Sequence, residues 1–186
     1  MAWYHAGPMT SKRNIFLIGP MGSGKTAVGR HLARLFRLSF HDSDADIELR
    51  TGVDIAFIFE KEGEPGFRVR EKESIERLTQ MQGIVLATGG GAVIEDDNRR
   101  VLRERGVVVY LETSVDQQIE RTRHARHRPL LNDTDPEETL AALMKKRAQL
   151  YAEIADLTVS TDGRRVQTVA EEIHAELRRL QAEQGA

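Results

Sequence analysis

The chain contains no cysteine, which excludes disulfides, thiolate zinc sites and cysteine nucleophiles. It has no apolar run long enough for a signal peptide or a membrane span, so neither is expected. Charge of one sign never accumulates over a long stretch, and the formal net charge is −2. That balance argues against nucleic acid or an anionic membrane as the main partner and allows only a local basic cleft. Internal repeats and long linkers are also missing. With 186 residues, 40% hydrophobic and 30% charged, the sequence predicts one compact soluble domain with a sizeable core. The absence of cysteine agrees with a cytoplasmic location.

What is present alternates short β-branched runs with longer helical stretches, the pattern of a parallel sheet wrapped by helices. Strands are predicted at 14–18, 38–41, 84–87, 107–111 and 157–160, several of them nearly continuous apolar runs, as when both sheet faces are covered. Helices are predicted to begin near Gly24, Ser43, Asp54, Gly66, Asp96, Val115, Asp135 and Val166. Asp135-Pro136-Glu137-Glu138 offers an N-cap acid, a proline at the first helical position and a glutamate at the third. Val166, Val169, Ile173, Leu177 and Leu180 form the apolar stripe of the last helix. Residues 1–12, including Trp3, His5 and Pro8, lack such a pattern and are read as a flexible tail before a domain at 13–182. Met9 is as good a start as Met1.

The strongest motif is Gly19-Pro20-Met21-Gly22-Ser23-Gly24-Lys25-Thr26. Glycines at these spacings let the backbone fold around an anion with its N–H groups turned inward. Lys25 would reach the β- and γ-phosphates, Thr26 would ligate Mg²⁺, and the helix that follows adds the positive end of its dipole. At average residue usage a chance match in a chain of this length occurs with a probability on the order of 1%, so nucleotide phosphate binding is the better reading. The motif does not choose the acceptor.

Asp42-Ser43-Asp44 ends the second predicted strand, where ligands of doubly wound sheets collect. One carboxylate could support Mg²⁺ and the other could orient an attacking hydroxyl, or Ser43 or Asp44 could simply cap a helix. Leu140, Met144, Arg147, Tyr151 and Ile154 share one helical face, which places Arg147 on an apolar stripe. A guanidinium there needs an anion, internal acceptors, or a path for its head to water. Phe67, Arg68 and Glu71 form a second group. Their spacing allows an ion pair that aims Arg68 at a ligand, or an exposed pair of little consequence. Gly89-Gly90-Gly91 follows a buried strand and suits a backbone surface against a small ligand. Arg121, Arg123, Arg126 and Arg128 crowd an aperiodic stretch, read as a mobile lid at about 121–134 or a solvated basic loop.

In this order and spacing the motifs resemble the shikimate kinase family from about Asn14 to the last helix. They are Gly19–Thr26, Asp42-Ser43-Asp44, Phe67-Arg68 with Glu71, the three glycines, Arg128-Pro129-Leu130-Leu131, and Arg147 with Tyr151. The resemblance implies a five-stranded parallel sheet of order 2-3-1-4-5. It implies transfer of the ATP γ-phosphoryl group to the 3-hydroxyl of shikimate in aromatic amino-acid biosynthesis, by a monomer using Mg²⁺. It implies nucleotide contacts from Gly22, Ser23, Gly24, Lys25, Thr26 and Ala27, and metal support from Thr26 and Asp42. Asp44 would bind shikimate and orient its hydroxyl. Arg68 and Arg147 would clamp the carboxylate, and Gly89, Gly90 and Gly91 would supply backbone contacts. Arg128 would act on the γ-phosphate, Arg121 would stack on adenine, and Arg165 would lie in the adenine loop. Two departures stand out: Thr88 before the glycines replaces the acid many phosphate-loop proteins carry there, and Ala27 replaces a second hydroxyl residue. A gluconate kinase, an adenylate kinase and a nucleotide-binding regulatory protein without turnover are the competing readings.

Overall fold

The computed structural model describes residues 14–123 and 135–184. Five strands build a parallel sheet: β1 (Asn14–Ile18), β2 (Ser39–Asp42), β3 (Ile84–Ala87), β4 (Gly106–Glu112) and β5 (Leu157–Ser160), in the order β2-β3-β1-β4-β5. The order and the parallel pairing are those the resemblance implied. Strand bounds differ from the sequence reading by one residue at β2 and β4.

The apolar runs explain the layering. Side chains alternate across a strand, so β1 sends Ile15 and Leu17 to one face and Phe16 and Ile18 to the other, and all four are buried. The first face is covered by Val28 and Leu32 of α1 (Lys25–Phe36) and by Val169, Ile173 and Leu177 of α7 (Val166–Gln184). Val166, predicted on that stripe, is instead exposed, because it starts the helix at the rim. The second face is covered by Ile75 and Leu78 of α3 (Ile55–Thr79), Val101 and Leu102 of α4 (Asp96–Arg105), and Tyr151 and Ile154 of α6 (Pro136–Ile154). Each fully buried side chain of this kind contributes roughly 1.5–3 kcal/mol.

The helix expected to begin near Gly66 is the second of two that a kink joins within α3. In α3, Gly63 leaves helical geometry (φ 69°, ψ −175°), and Pro65 follows in the first turn of the resumed helix, a place where its missing N–H costs nothing. The kink folds the first part of α3 against α2 (Ser43–Thr51), with Ile47, Ile58 and Phe67 forming a small separate core. Asp135 caps α6 as predicted, accepting from the N–H groups of Glu137 (2.9 Å) and Glu138 (3.4 Å). α5 (Val115–Thr122) completes the set. Among the described residues no helix is long and apolar enough to cross a membrane.

Buried Asn14 ties the lower edge of the sheet together. Its amide donates to the Met81 carbonyl (2.6 Å) and accepts from the Ile84 N–H (3.1 Å). Asn14→Ala leaves both backbone groups unpaired, a loss of roughly 2–3 kcal/mol. The thermal midpoint should fall by about 5–10 °C for a chain of this size. Calorimetry on the two proteins checks this, and a shift under about 2 °C would mean water replaces the amide.

Candidate active site

Every site element sits beyond the carboxyl ends of the strands. The segment between β1 and α1 turns tightly at Gly22 (φ 78°) and Gly24 (φ 88°), left-handed conformations that a side chain would strain. Lys25, first residue of α1, bends back over the loop. Its Nζ donates to the carbonyls of Gly19 (2.8 Å) and Pro20 (2.7 Å) and to Ser23 Oγ (3.2 Å). The ammonium is thus held at the loop mouth, where a phosphate oxygen would meet it. Ala27 is exposed on the outer side of the helix.

Asp42 closes β2 and serves two purposes. Its Oδ1 accepts from the Asp44 N–H (3.1 Å), so the N-cap of α2 is Asp42 and not Ser43 or Asp44, while Oδ2 accepts from Thr26 Oγ1 (2.8 Å). The cap falls one residue earlier than the sequence suggested because Asp42, the last residue of the strand, keeps extended geometry and turns its carboxylate to the first turn of the helix. Buried Ser43 accepts from the Gly89 N–H (2.9 Å), and its hydroxyl lies 3.5 Å from Asp44 Oδ1. Nothing in the sequence singled out that hydroxyl. Burial pushes the Asp44 carboxyl up to about 7, and the nearby charges of Asp42 and Glu71 add to the shift against the pull of Lys25.

The glycine run after β3 lets two carboxylates and a guanidinium come within contact of the backbone. A Cβ on Gly89 would lie 2.6 Å from Glu71 Oε1 and 2.8 Å from Asp44 Oδ1, and one on Gly91 would collide with the Arg68 guanidinium. Arg68 donates to Glu71 Oε2 (2.5 Å) and to Glu64 Oε1 (2.6 Å). Glu71 is completely buried with Oε1 unpartnered, and that burial raises its carboxyl above the ordinary range while Arg68 and Arg147 pull it down. The exposed-pair reading of Arg68 and Glu71 is therefore excluded. Arg147 is buried with Leu140, Tyr151 and Ile154 along the face the periodicity marked. Arg68 and Arg147 thus stand beside Gly89–Gly91 with two carboxylates, buried Glu71 and half-exposed Glu64.

At the opposite end, Arg121 bridges the phosphate loop to the segment after β5. It donates to the Gly22 carbonyl (3.1 Å), Thr161 Oγ1 (3.0 Å) and the Thr161 carbonyl (2.6 Å). Arg165 is exposed at the start of α7. Arg128 and most of the predicted lid lie outside the described residues. The sequence offered no sign of Thr161, whose part in the site comes only through Arg121.

Asp44 carries a stability consequence. Its carboxyl titrates near 7 in the folded protein and near 3.8 unfolded, so the native state binds more protons between those values and stability falls as pH rises through them. Asp44→Asn removes the cost. The variant should exceed the parent by an amount growing from about pH 4 to pH 7 and then level, reaching on the order of 2 kcal/mol once screening by water on the open side is allowed for. Urea titrations at pH 4.5 and 8 read this directly, and an equal difference at both would rule it out.

Three comparisons place this geometry. The family profile described as shikimate kinase matches residues 21–178. The chain is 53% identical over 169 residues to a shikimate kinase of Shewanella pealeana, covering 91% of this chain and 99% of the relative. It is 56% identical over 165 residues to one from Actinobacillus pleuropneumoniae, covering 89% and 95%. Among solved structures, the shikimate kinase of Acinetobacter baumannii in complex with shikimate aligns with a TM-score of 0.87 at 48% identity, covering 89% of this chain and 92% of that one. A phosphate loop, an acid pair at the end of β2 and a basic cluster around three glycines thus occur within a fold and sequence shared nearly end to end, and the chain belongs to the shikimate kinase family.

Proposed function

We propose that the chain transfers the γ-phosphoryl group of ATP to the 3-hydroxyl of shikimate, giving ADP and shikimate 3-phosphate for aromatic amino-acid biosynthesis. The observation that carries this reading is the Arg68–Glu71–Arg147 cluster at Gly89–Gly91, with Asp44 between it and the phosphate loop. A carboxylated substrate would take up the guanidinium N–H donors that Glu71 and Glu64 leave over. Its hydroxyls then face Asp44, and the acceptor oxygen faces the γ-phosphate.

Asp44 accepts the hydroxyl proton as the new oxygen–phosphorus bond forms. The bond from the γ-phosphorus to its bridging oxygen breaks, ADP leaves with that electron pair, and the proton passes from Asp44 to solvent. A carboxyl titrating near neutrality suits a group that must take a proton and give it back. Lys25 and the loop amides, with Gly22, Ser23 and Gly24, hold the phosphates, and Lys25 offsets charge on the transferring group. Thr26 Oγ1 and Asp42 Oδ2 lie 2.8 Å apart beside the loop, and a hydroxyl with a carboxylate is a donor set fitting Mg²⁺. When bound, the ion would neutralise phosphate charge. Arg121 and Arg165 border the adenine end, and Arg128 takes its γ-phosphate role from the Arg128-Pro129-Leu130-Leu131 motif. This reading makes the chain a cytoplasmic monomer, with residues 13–182 as one kinase domain and a lid at about 121–134.

The test is an ATP-consumption assay with shikimate, gluconate, AMP or no acceptor. ADP formation dependent on shikimate, with a product of the phosphorylated mass, is expected. Turnover of another acceptor in its place would overturn the substrate assignment. Arg147→Ala should raise the shikimate KM by about a hundredfold while leaving ATP binding nearly unchanged. Equal loss of both ligands would contradict a carboxylate role. Asp44→Asn should lower kcat by about a hundredfold or more at saturating substrate. Turnover within about threefold of the parent, well under the usual contribution of a general base, would remove Asp44 from the chemistry.

A further inference from the structure

We propose that Tyr151 is a positioning residue for the substrate: its buried hydroxyl joins the Gly89–Gly91 turn to the Arg147 guanidinium as one preorganised unit. This rests on the carboxylate site proposed above. Tyr151 is completely buried, and its hydroxyl donates to the Gly90 carbonyl. One helical turn earlier on α6, the buried Arg147 guanidinium lies beside the same phenol. A hydroxyl has one proton to give and lone pairs to accept with, so it can take a bond from Arg147 while donating to Gly90. Burial raises the phenol well above its ordinary range, which keeps that proton in place.

The glycine turn depends on this contact because little else grips its centre. Before it, the Gly89 N–H is held by Ser43. After it, Asn98 bonds the Ala92 carbonyl (3.0 Å) and Arg99 the Val93 carbonyl (2.6 Å). Gly90 itself lies against the phosphate loop, where a Cβ would be 3.4 Å from the Met21 N. The Tyr151 ring packs on Tyr110 (centroids 5.1 Å apart, 22° between planes), and a phenylalanine would fill that space equally well. The hydroxyl therefore contributes through its hydrogen bond to Gly90 and its place beside Arg147. Both neighbours are groups that would contact shikimate, and neither is a group that would contact ATP.

Tyr151→Phe separates positioning from packing. The shikimate KM should rise about tenfold while kcat and the ATP KM each change by less than about twofold, the loss of one buried hydrogen bond appearing only in substrate binding. Tyr110→Phe, which removes a hydroxyl from the same stacked pair, should leave all three constants unchanged. An unchanged shikimate KM in Tyr151→Phe, or an equal rise in both KM values, overturns the proposal. Arg147→Ala tells the two readings apart: if it weakens shikimate binding while Tyr151→Phe does not, only the role of Tyr151 fails. If neither does, the carboxylate site fails with it. Amide exchange on the parent protein needs no variant. The Gly89 and Ala92 amides should be protected before substrate is added, and rapid exchange there also overturns preorganisation.

Discussion

The arrangement of the site depends on a backbone passing where no side chain fits. Between β3 and α4 the chain runs through Gly89, Gly90 and Gly91 with Asp44, Glu71 and Arg68 against it on one side and the phosphate loop on the other. Three consecutive glycines are entropically unfavourable. Here the cost is offset by what the missing Cβ atoms permit, since donors and acceptors from α2, α3 and α6 converge on a single stretch of main chain. An alanine at Gly91 would displace the guanidinium that the cluster is built around. The sheet supplies the rest, because parallel strands deliver all their carboxyl ends to the same edge.

Charge is the second constraint. Glu71 is buried with one oxygen unpartnered, beside Arg68 and within the field of Arg147. Such a cluster contributes little to stability by itself, since desolvation offsets most of the attraction. Its retention makes physical sense if the guanidinium donors left over meet an anion that arrives with the substrate. The same holds for Asp44, whose raised carboxyl is unfavourable to the folded protein above pH 4 and useful to a proton transfer near neutrality. Stability is given up at the positions where the chemistry needs an unsatisfied group.

Much of this was legible in the sequence, for reasons that differ from one residue to the next. The strands could be read because a sheet covered on both faces needs continuous apolar runs, and β1 and β3 have them. Arg147 betrayed itself because the helical period set a cation on an apolar stripe, and it is buried there. The phosphate loop could be read from its glycines. What stayed hidden depends on pairings between distant segments. Ser43 matters through Gly89, 46 residues away, and Arg121 through Thr161, 40 residues away. Asp42 and Asp44 could not be assigned to capping or chemistry by spacing, since Asp42 caps the helix and also bonds Thr26. The break inside α3, by contrast, was legible as two helix starts, near Asp54 and Gly66, on either side of Gly63.

The geometry also bears on which acceptor the site prefers among hydroxylated acids. A carboxylate satisfies the arginine cluster whether it is carried on a ring or on an open chain, so charge alone does not separate shikimate from gluconate. The distinction lies in rigidity. Asp44 is fixed through the cap of α2 and the packed hydroxyl of Ser43, and Arg68 is fixed by two carboxylates on its own helix. The span from Asp44 to the arginine cluster, the hydroxyl and carboxylate sites proposed above, is thus set by anchored groups. A ring presents hydroxyl and carboxylate at one separation already. An open-chain polyol must freeze several rotations to match it, at about 0.5 kcal/mol or more for each. Four or five such rotations amount to roughly a hundredfold in binding, enough for a rigid site to select a cyclic acid without any contact that repels a linear one.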